Sequence, residues 1–160
     1  MKKLLGLVLS VALLAGCLGT SVWAAETTYP MVSHVYTTTD DFASDEWATS
    51  QRGAYLLNGV SCISRGSGNM INISGSTTAT QTCDKVWLTL YVERSTSYAT
   101  GYSTYRSFYY SSDNVYQLAK EISNISVERG YYYRVKAVHS VKEGSVTETT
   151  DSVTNPISYI

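Results

Sequence analysis

Gly130-Tyr-Tyr-Tyr-Arg-Val-Lys-Ala-Val-His-Ser-Val-Lys142 is the stretch whose reading decides the fold. Tyr131, Tyr133, Val135, Ala137, His139 and Val141 share one parity, while Tyr132, Arg134, Lys136, Ser140 and Lys142 share the other. Charge falls on one side only, with a period of two, which is the signature of a strand with one face turned inward. Aromatic and β-branched residues in such a run suit a pleated, half-buried surface better than a helical stripe.

Working outward, Asp84–Arg94 alternates even more cleanly. Val86, Leu88, Leu90 and Val92 point one way and Trp87, Thr89, Tyr91 and Glu93 the other, which predicts a core strand with an aromatic second face. Gly53–Arg65 reads as a strand with a bulge or turn at Asn58-Gly59, and Gly66-Ser67-Gly68 as a tight reversal into Asn69–Thr77. Thr104–Ser111 reads as a strand inside a long exposed connection, and Val115–Glu121 has the composition of a helical turn. Glu143-Gly144 turns the chain into a threonine-rich last strand, Ser145–Val153. About seven short strands separated by turn signals predict an all-β antiparallel sandwich.

The 160 residues suffice for one domain behind a leader. Lys2 and Lys3, the apolar run Leu4–Leu18 and Val22-Trp23-Ala24 before Ala25 have the layout of a secretory signal, with cleavage expected between Ala24 and Ala25. The rival reading is a lipobox, Leu14-Ala15-Gly16-Cys17, which would lipidate Cys17 and anchor the protein to a membrane. Secretion is preferred, because Leu18, Val22 and Trp23 carry apolar character past Cys17 to the expected cleavage site, where a lipoprotein would continue with a polar tether. The expected organisation is a signal peptide over 1–24, an irregular lead-in over 25–52 with room for a short edge strand at Met31–Tyr36, and the β-sandwich over 53–160.

Removing the leader leaves ten Lys and Arg against thirteen Asp and Glu, a formal charge of −3. Scattered cations offer no nucleic-acid footprint, and no membrane span is expected after leader removal. Cys62 and Cys83 form an even pair in an oxidising compartment, so a disulfide is expected, with two buried thiols as the alternative. Such a bond would close a loop of about twenty residues and add about 3 kcal/mol in the chain-entropy account.

Reagents for catalysis are sparse. His34 and His139 lack the spacing of a metal motif, no cofactor is expected, and His139 reads as a strand-end histidine satisfied by backbone or solvent. Asp40–Glu46 is an acidic stretch with weak resemblance to a calcium loop; an acidic solvated loop with Trp47 as a core plug is preferred. Asp41, Asp45, Glu46, Glu93, Glu121 and Glu148 are the carboxylates available for glycoside hydrolysis. The clearest candidate for recognition is Tyr98, Tyr102, Tyr105, Tyr109 and Tyr110, interleaved with Ser and Thr, a composition that offers large rigid area and adaptable hydrogen bonds. Cross-strand pairing on a solvent face is the plainer reading of the same tyrosines. The leading expectation is a secreted non-catalytic module binding an extracellular glycan or protein partner; a glycan hydrolase and a bacteriocin-like effector are the alternatives.

Val127, Gly130 and Tyr131, followed by Tyr133, Val135 and Ala137, resemble the approach to strand F in fibronectin type III and related immunoglobulin-like domains. That resemblance implies an immunoglobulin/fibronectin III-like sandwich in which Tyr131 makes a tyrosine corner. A second resemblance rests on Ile73–Ala79, Val86–Arg94, Arg129–Val135, His139–Val141 and Thr147–Thr150. These stretches look like a family of small exported β-rich proteins of Gram-positive bacteria without an assigned function. That likeness implies export and a β fold and names no catalytic residue.

Overall fold

A computed structural model of the protein describes residues 32–49 and 55–160. Its elements are β1 (Val32–Thr38), β2 (Phe42–Thr49), β3 (Leu56–Arg65), β4 (Met70–Ser95), β5 (Ser103–Ser126), β6 (Tyr132–Glu143), β7 (Val146–Val153) and β8 (Ile157–Ser158). They form one eight-stranded sheet in the order β1-β2-β3-β4-β6-β7, with β5 on β4 and β8 on β6. Every pairing is antiparallel.

β4 makes this single sheet fold over itself. Its first part pairs with β3 and its last part, Lys85–Ser95, with β6, while β5 follows it on the other side through both parts. The ladder skips between Thr78 and Cys83, where polar, exposed Thr80, Gln81 and Thr82 pass through the bend. On the facing strand Asn114 takes φ 55°, a left-handed conformation that asparagine tolerates better than most residues. The halves of β4 therefore face each other: a Cβ placed on Gly75 would lie 2.7 Å from Leu90 Cδ2. Ile63, Ile71 and Ile73 from one layer meet Val86, Leu88, Leu90, Val135 and Val141 from the other, all fully buried.

The inward parity of β6 is as expected: Tyr133, Val135, Ala137, His139 and Val141 are buried. Eight strands and no helix among the described residues place the chain in the antiparallel all-β class.

Several expectations change. Residues 32–49, taken as part of an irregular lead-in, form the β1–β2 hairpin paired onto β3. Val115–Glu121 is strand within β5 rather than a helical turn, because Leu118 is drawn into the core. Cys62 and Cys83 are free thiols. Cys62 stands opposite Ser74 on the outward parity of β3, whereas Cys83 is buried on the inward parity of β4. Burial pushes both thiols up, so neither is an activated nucleophile.

The corner tyrosine is Tyr133, two residues beyond the expected Tyr131. Its hydroxyl donates to Glu128 O at 3.0 Å and accepts Glu128 N–H at 2.9 Å. Gly130, at φ 90°, reverses the chain just before the strand, and Tyr159 N–H bonds Tyr131 O at 2.9 Å. That pairing fixes Tyr131 half-buried at the margin of the core, where its ring carries the Arg94 guanidinium 4.5 Å from its centroid. Tyr133→Phe is therefore expected to cost about 1–2 kcal/mol, leaving backbone groups of Glu128 unpaired. Tyr131→Phe should cost less than half of that, and paired urea midpoints measure the difference.

Candidate functional site

Because Val86, Leu88, Leu90 and Val92 fill the core, the pleat turns Trp87, Thr89, Tyr91 and Glu93 outward. Register extends this face to both neighbours. Ser111, Tyr109 and Ser107 on β5 stand beside Trp87, Thr89 and Tyr91, and Ser140, Val138, Lys136 and Arg134 on β6 flank the other side.

The rings on this face are ordered by one another. Tyr91 and Tyr109 meet edge to face at 6.2 Å, and Tyr98 and Tyr132 do so at 5.5 Å, the arrangement that ring quadrupoles favour. Tyr102 lies over the Arg134 guanidinium, 4.0 Å from it, and Arg134 Nε is fixed by Glu93 at 2.7 Å. Lys85 lies 5.6 Å from the Trp87 ring. Despite these neighbours Tyr109 is 69% exposed and Tyr98 56%. Partial burial pushes the Tyr91 and Tyr102 phenols above their ordinary value, so both are neutral donors at physiological pH.

Tyr98 and Tyr102 reach the face from the connection after β4. Ser95 Oγ donates to Thr100 O at 2.5 Å and accepts Ser97 N–H at 3.0 Å, while Gly101 turns with φ 78°. Tyr102 then donates its hydroxyl to Tyr98 O at 2.9 Å. The loop is thus folded onto the sheet rather than extended from it. From Trp87 to the level of Tyr132, eight residues along β4, the aromatic track runs about 27 Å at the usual strand rise.

The expected tyrosine set is split by this geometry. Tyr98, Tyr102 and Tyr109 belong to the face. Tyr105 packs toward the core against Tyr133 at 5.8 Å, lies 4.6 Å from Arg94 and donates to Ser126 O. Tyr110 is half-buried against the core beneath Lys120. Tyr91, Tyr132 and Arg134 join the face in their place; strand parity in 84–94 and 130–142 was the signal that could have found them.

Other candidate reagents are dispersed. Asp41 pairs with Arg65 at 2.6 Å, Glu46 accepts from Asn58, Glu93 holds Arg134, and Glu148 accepts Leu56 N–H at 2.7 Å. Glu121 lies on β5 opposite Ser74. Asp45 is fully buried and accepts Val153 N–H at 2.7 Å, with His34 Nδ1 at 3.1 Å. Asp45 turns inward and exposed Glu46 outward, so the acidic stretch does not converge on one ion. Trp47 is buried as expected. No cluster of three His, Cys, Asp or Glu suited to a metal is present among the described residues.

His139 is not at a strand end in contact with solvent. It is fully buried, with Nδ1 3.0 Å from Thr77 Oγ1 and Nε2 2.9 Å from Ser152 Oγ. Thr77 in turn donates to Trp87 O at 3.0 Å, and Ser152 to Ser61 at 2.8 Å. This chain of hydroxyls ties β3 and β4 to β6 and β7 through the middle of the core.

Cys17, Ala24 and Ala25, expected at the lipidation and cleavage sites, lie outside the described residues. Among the described residues no helix is long and apolar enough to cross a membrane. A search of curated proteins finds no match. Comparison with protein families matches residues 23–157, and the chain belongs to the matched family, a family of unknown function (DUF6147).

Proposed function

We propose that the protein is an exported, non-catalytic binding module that holds an extended glycan along the outer face of β4, β5 and β6. The observation carrying this reading is the aromatic track itself: Tyr98 and Tyr109 stay exposed while Tyr132 and Tyr91 brace them from the side. Exposed rings already held by neighbours lose little side-chain freedom on binding, which favours affinity. Thr89, Ser107 and Ser140 alternate with the rings and supply hydroxyl partners. A long flat track suits a linear polymer better than a small molecule, which requires a concave pocket. Export is supported by Lys2-Lys3, the apolar run after them, and Val22 and Ala24 at the third and first positions before the expected cleavage point.

Tyr98→Ala combined with Tyr109→Ala is expected to weaken retention on cell-wall material and arrayed glycans about tenfold or more. The urea midpoint should hardly move, since both rings are exposed. A substitution at Tyr105 would instead disturb packing against Tyr133. Retention unchanged in the double variant would remove the face from the site. Turnover of a bound glycan would replace this reading with the hydrolase.

A further inference from the structure

A cleft of about 580 Å³ opens at the end of the sheet where the aromatic track finishes. The β1–β2 and β3–β4 turns, the loop after β4, the turn before β6 and the C-terminal stretch all border it. Tyr98 lines it and also meets Tyr132 edge to face, so the cleft and the track share a ring.

The charges around the cleft differ in how far they are already engaged. Arg65 is held by Asp41 at 2.6 Å, donates to Ser158 O at 2.6 Å and covers the Tyr159 ring at 4.4 Å. Glu128 lies 3.0 Å from Arg94 Nη1, within ion-pair distance though without the alignment of a hydrogen bond. Arg129 is different. Its Nε donates to Asn69 Oδ1 at 3.2 Å, and it has no carboxylate partner among the described residues. Asn69 is itself anchored, because its carbonyl accepts Val127 N–H at 2.9 Å. Asp40 is the carboxylate among the described side chains lining the cleft, against Arg65 and Arg129.

A guanidinium steadied through Nε keeps its terminal N–H groups for an incoming oxyanion, and its planar fork matches a carboxylate with two hydrogen bonds. We infer that the cleft receives a carboxylate-bearing sugar residue of the glycan on the tyrosine face, gripped by Arg129. The inference rests on the proposed glycan-binding role and adds the substrate class, an acidic polysaccharide. Rings along the track contribute to neutral and acidic polymers alike, whereas Arg129 distinguishes them.

The test uses hyaluronan, polygalacturonate and alginate, each beside its carboxyl-reduced neutral counterpart, with wild-type protein and single variants. Wild type should bind at least one acidic polymer about tenfold tighter than its neutral counterpart, and Arg129→Gln should abolish that preference. Tyr109→Ala should weaken both forms to the same extent. Arg106→Gln, which removes an exposed cation outside the cleft, should leave the preference intact. Equal binding of the acidic and neutral forms overturns the inference and leaves the track reading standing. So does a preference that survives Arg129→Gln or disappears equally in Arg106→Gln. Failure to bind any of these polymers, acidic or neutral, overturns both.

Discussion

Gly59→Ala is expected to destabilise the protein by about 3 kcal/mol or more, a large share of the roughly 5–15 kcal/mol typical of a domain. A Cβ at this position would lie 2.3 Å from His139 Cδ2, 2.4 Å from Cγ and 2.7 Å from Nε2. The ring has nowhere to retreat without losing Thr77 or Ser152, and either loss strands polar groups in the core at about 1–3 kcal/mol each. Alternatively the layers part, with the cost of an overpacked core. Urea midpoints separate these causes when Gly59→Ala is also placed in a His139→Ala background. There the new methyl group should be nearly neutral, because the side chain it struck is gone. An equal cost in both backgrounds would show that His139 is not what Gly59 makes room for.

Acid should unlatch the same network. Burial lowers the His139 pKa from 6.5 to about 4, with Asp151 weakly opposing the shift. The unfolded chain therefore binds a proton more readily than the folded one. Stability from this group is complete above pH 6.5, declines as pH falls from about 6.5 to 4, and is lost below that. The shift corresponds to about 3 kcal/mol. Thr77 and Ser152 offer the imidazolium hydroxyl oxygens but no charge, and Ser61 touches only Ser152. Unfolding free energies measured every half pH unit should fall more steeply for wild type than for His139→Gln, by about one proton between pH 4.5 and 6. Parallel curves would mean that the histidine is already solvated or charged in the folded state.

These buried hydroxyls and ring nitrogens also explain where the fold was legible and where it was concealed. β6 and the second half of β4 were readable because their inward positions are apolar almost without interruption. β2 was concealed by Asp45, a carboxylate at an inward position whose partners, Val153 N–H and His34, come from strands far apart in sequence. The bend in β4 looked like a break between two strands, because Thr80, Gln81 and Thr82 are polar, yet the facing strand follows it around. Three consecutive tyrosines made the corner ambiguous by two residues, and the position of Gly130 relative to β8 decided for Tyr133. The expected disulfide depended on compartment and count, neither of which carries the opposite parities of Cys62 and Cys83.

The aromatic site was half legible for a related reason. Tyrosine-rich composition marked the region, but a register shift between Val92 and Glu93, opposite the stretch from Thr104 to Arg106, turns Tyr105 toward Arg94 and the core. Composition alone has no access to such a shift. Tyr91 and Tyr132 lie outside the marked stretch and reach the face only through pairing with β5 and β6. The polar core fastens the layers inside while the track is assembled outside, so the two can be tested separately: His139 variants by their stability, Tyr98 and Tyr109 variants by their retention on glycan.

Amide hydrogen exchange with and without a retained glycan tests the binding face most directly. Protection is expected at Trp87–Glu93, Ser107–Ser111 and Tyr132–Val138, with β2 unchanged. Protection centred instead on the opposite outer face, at Asn72–Thr78, or none on β4 to β6 despite saturating ligand, would contradict the account.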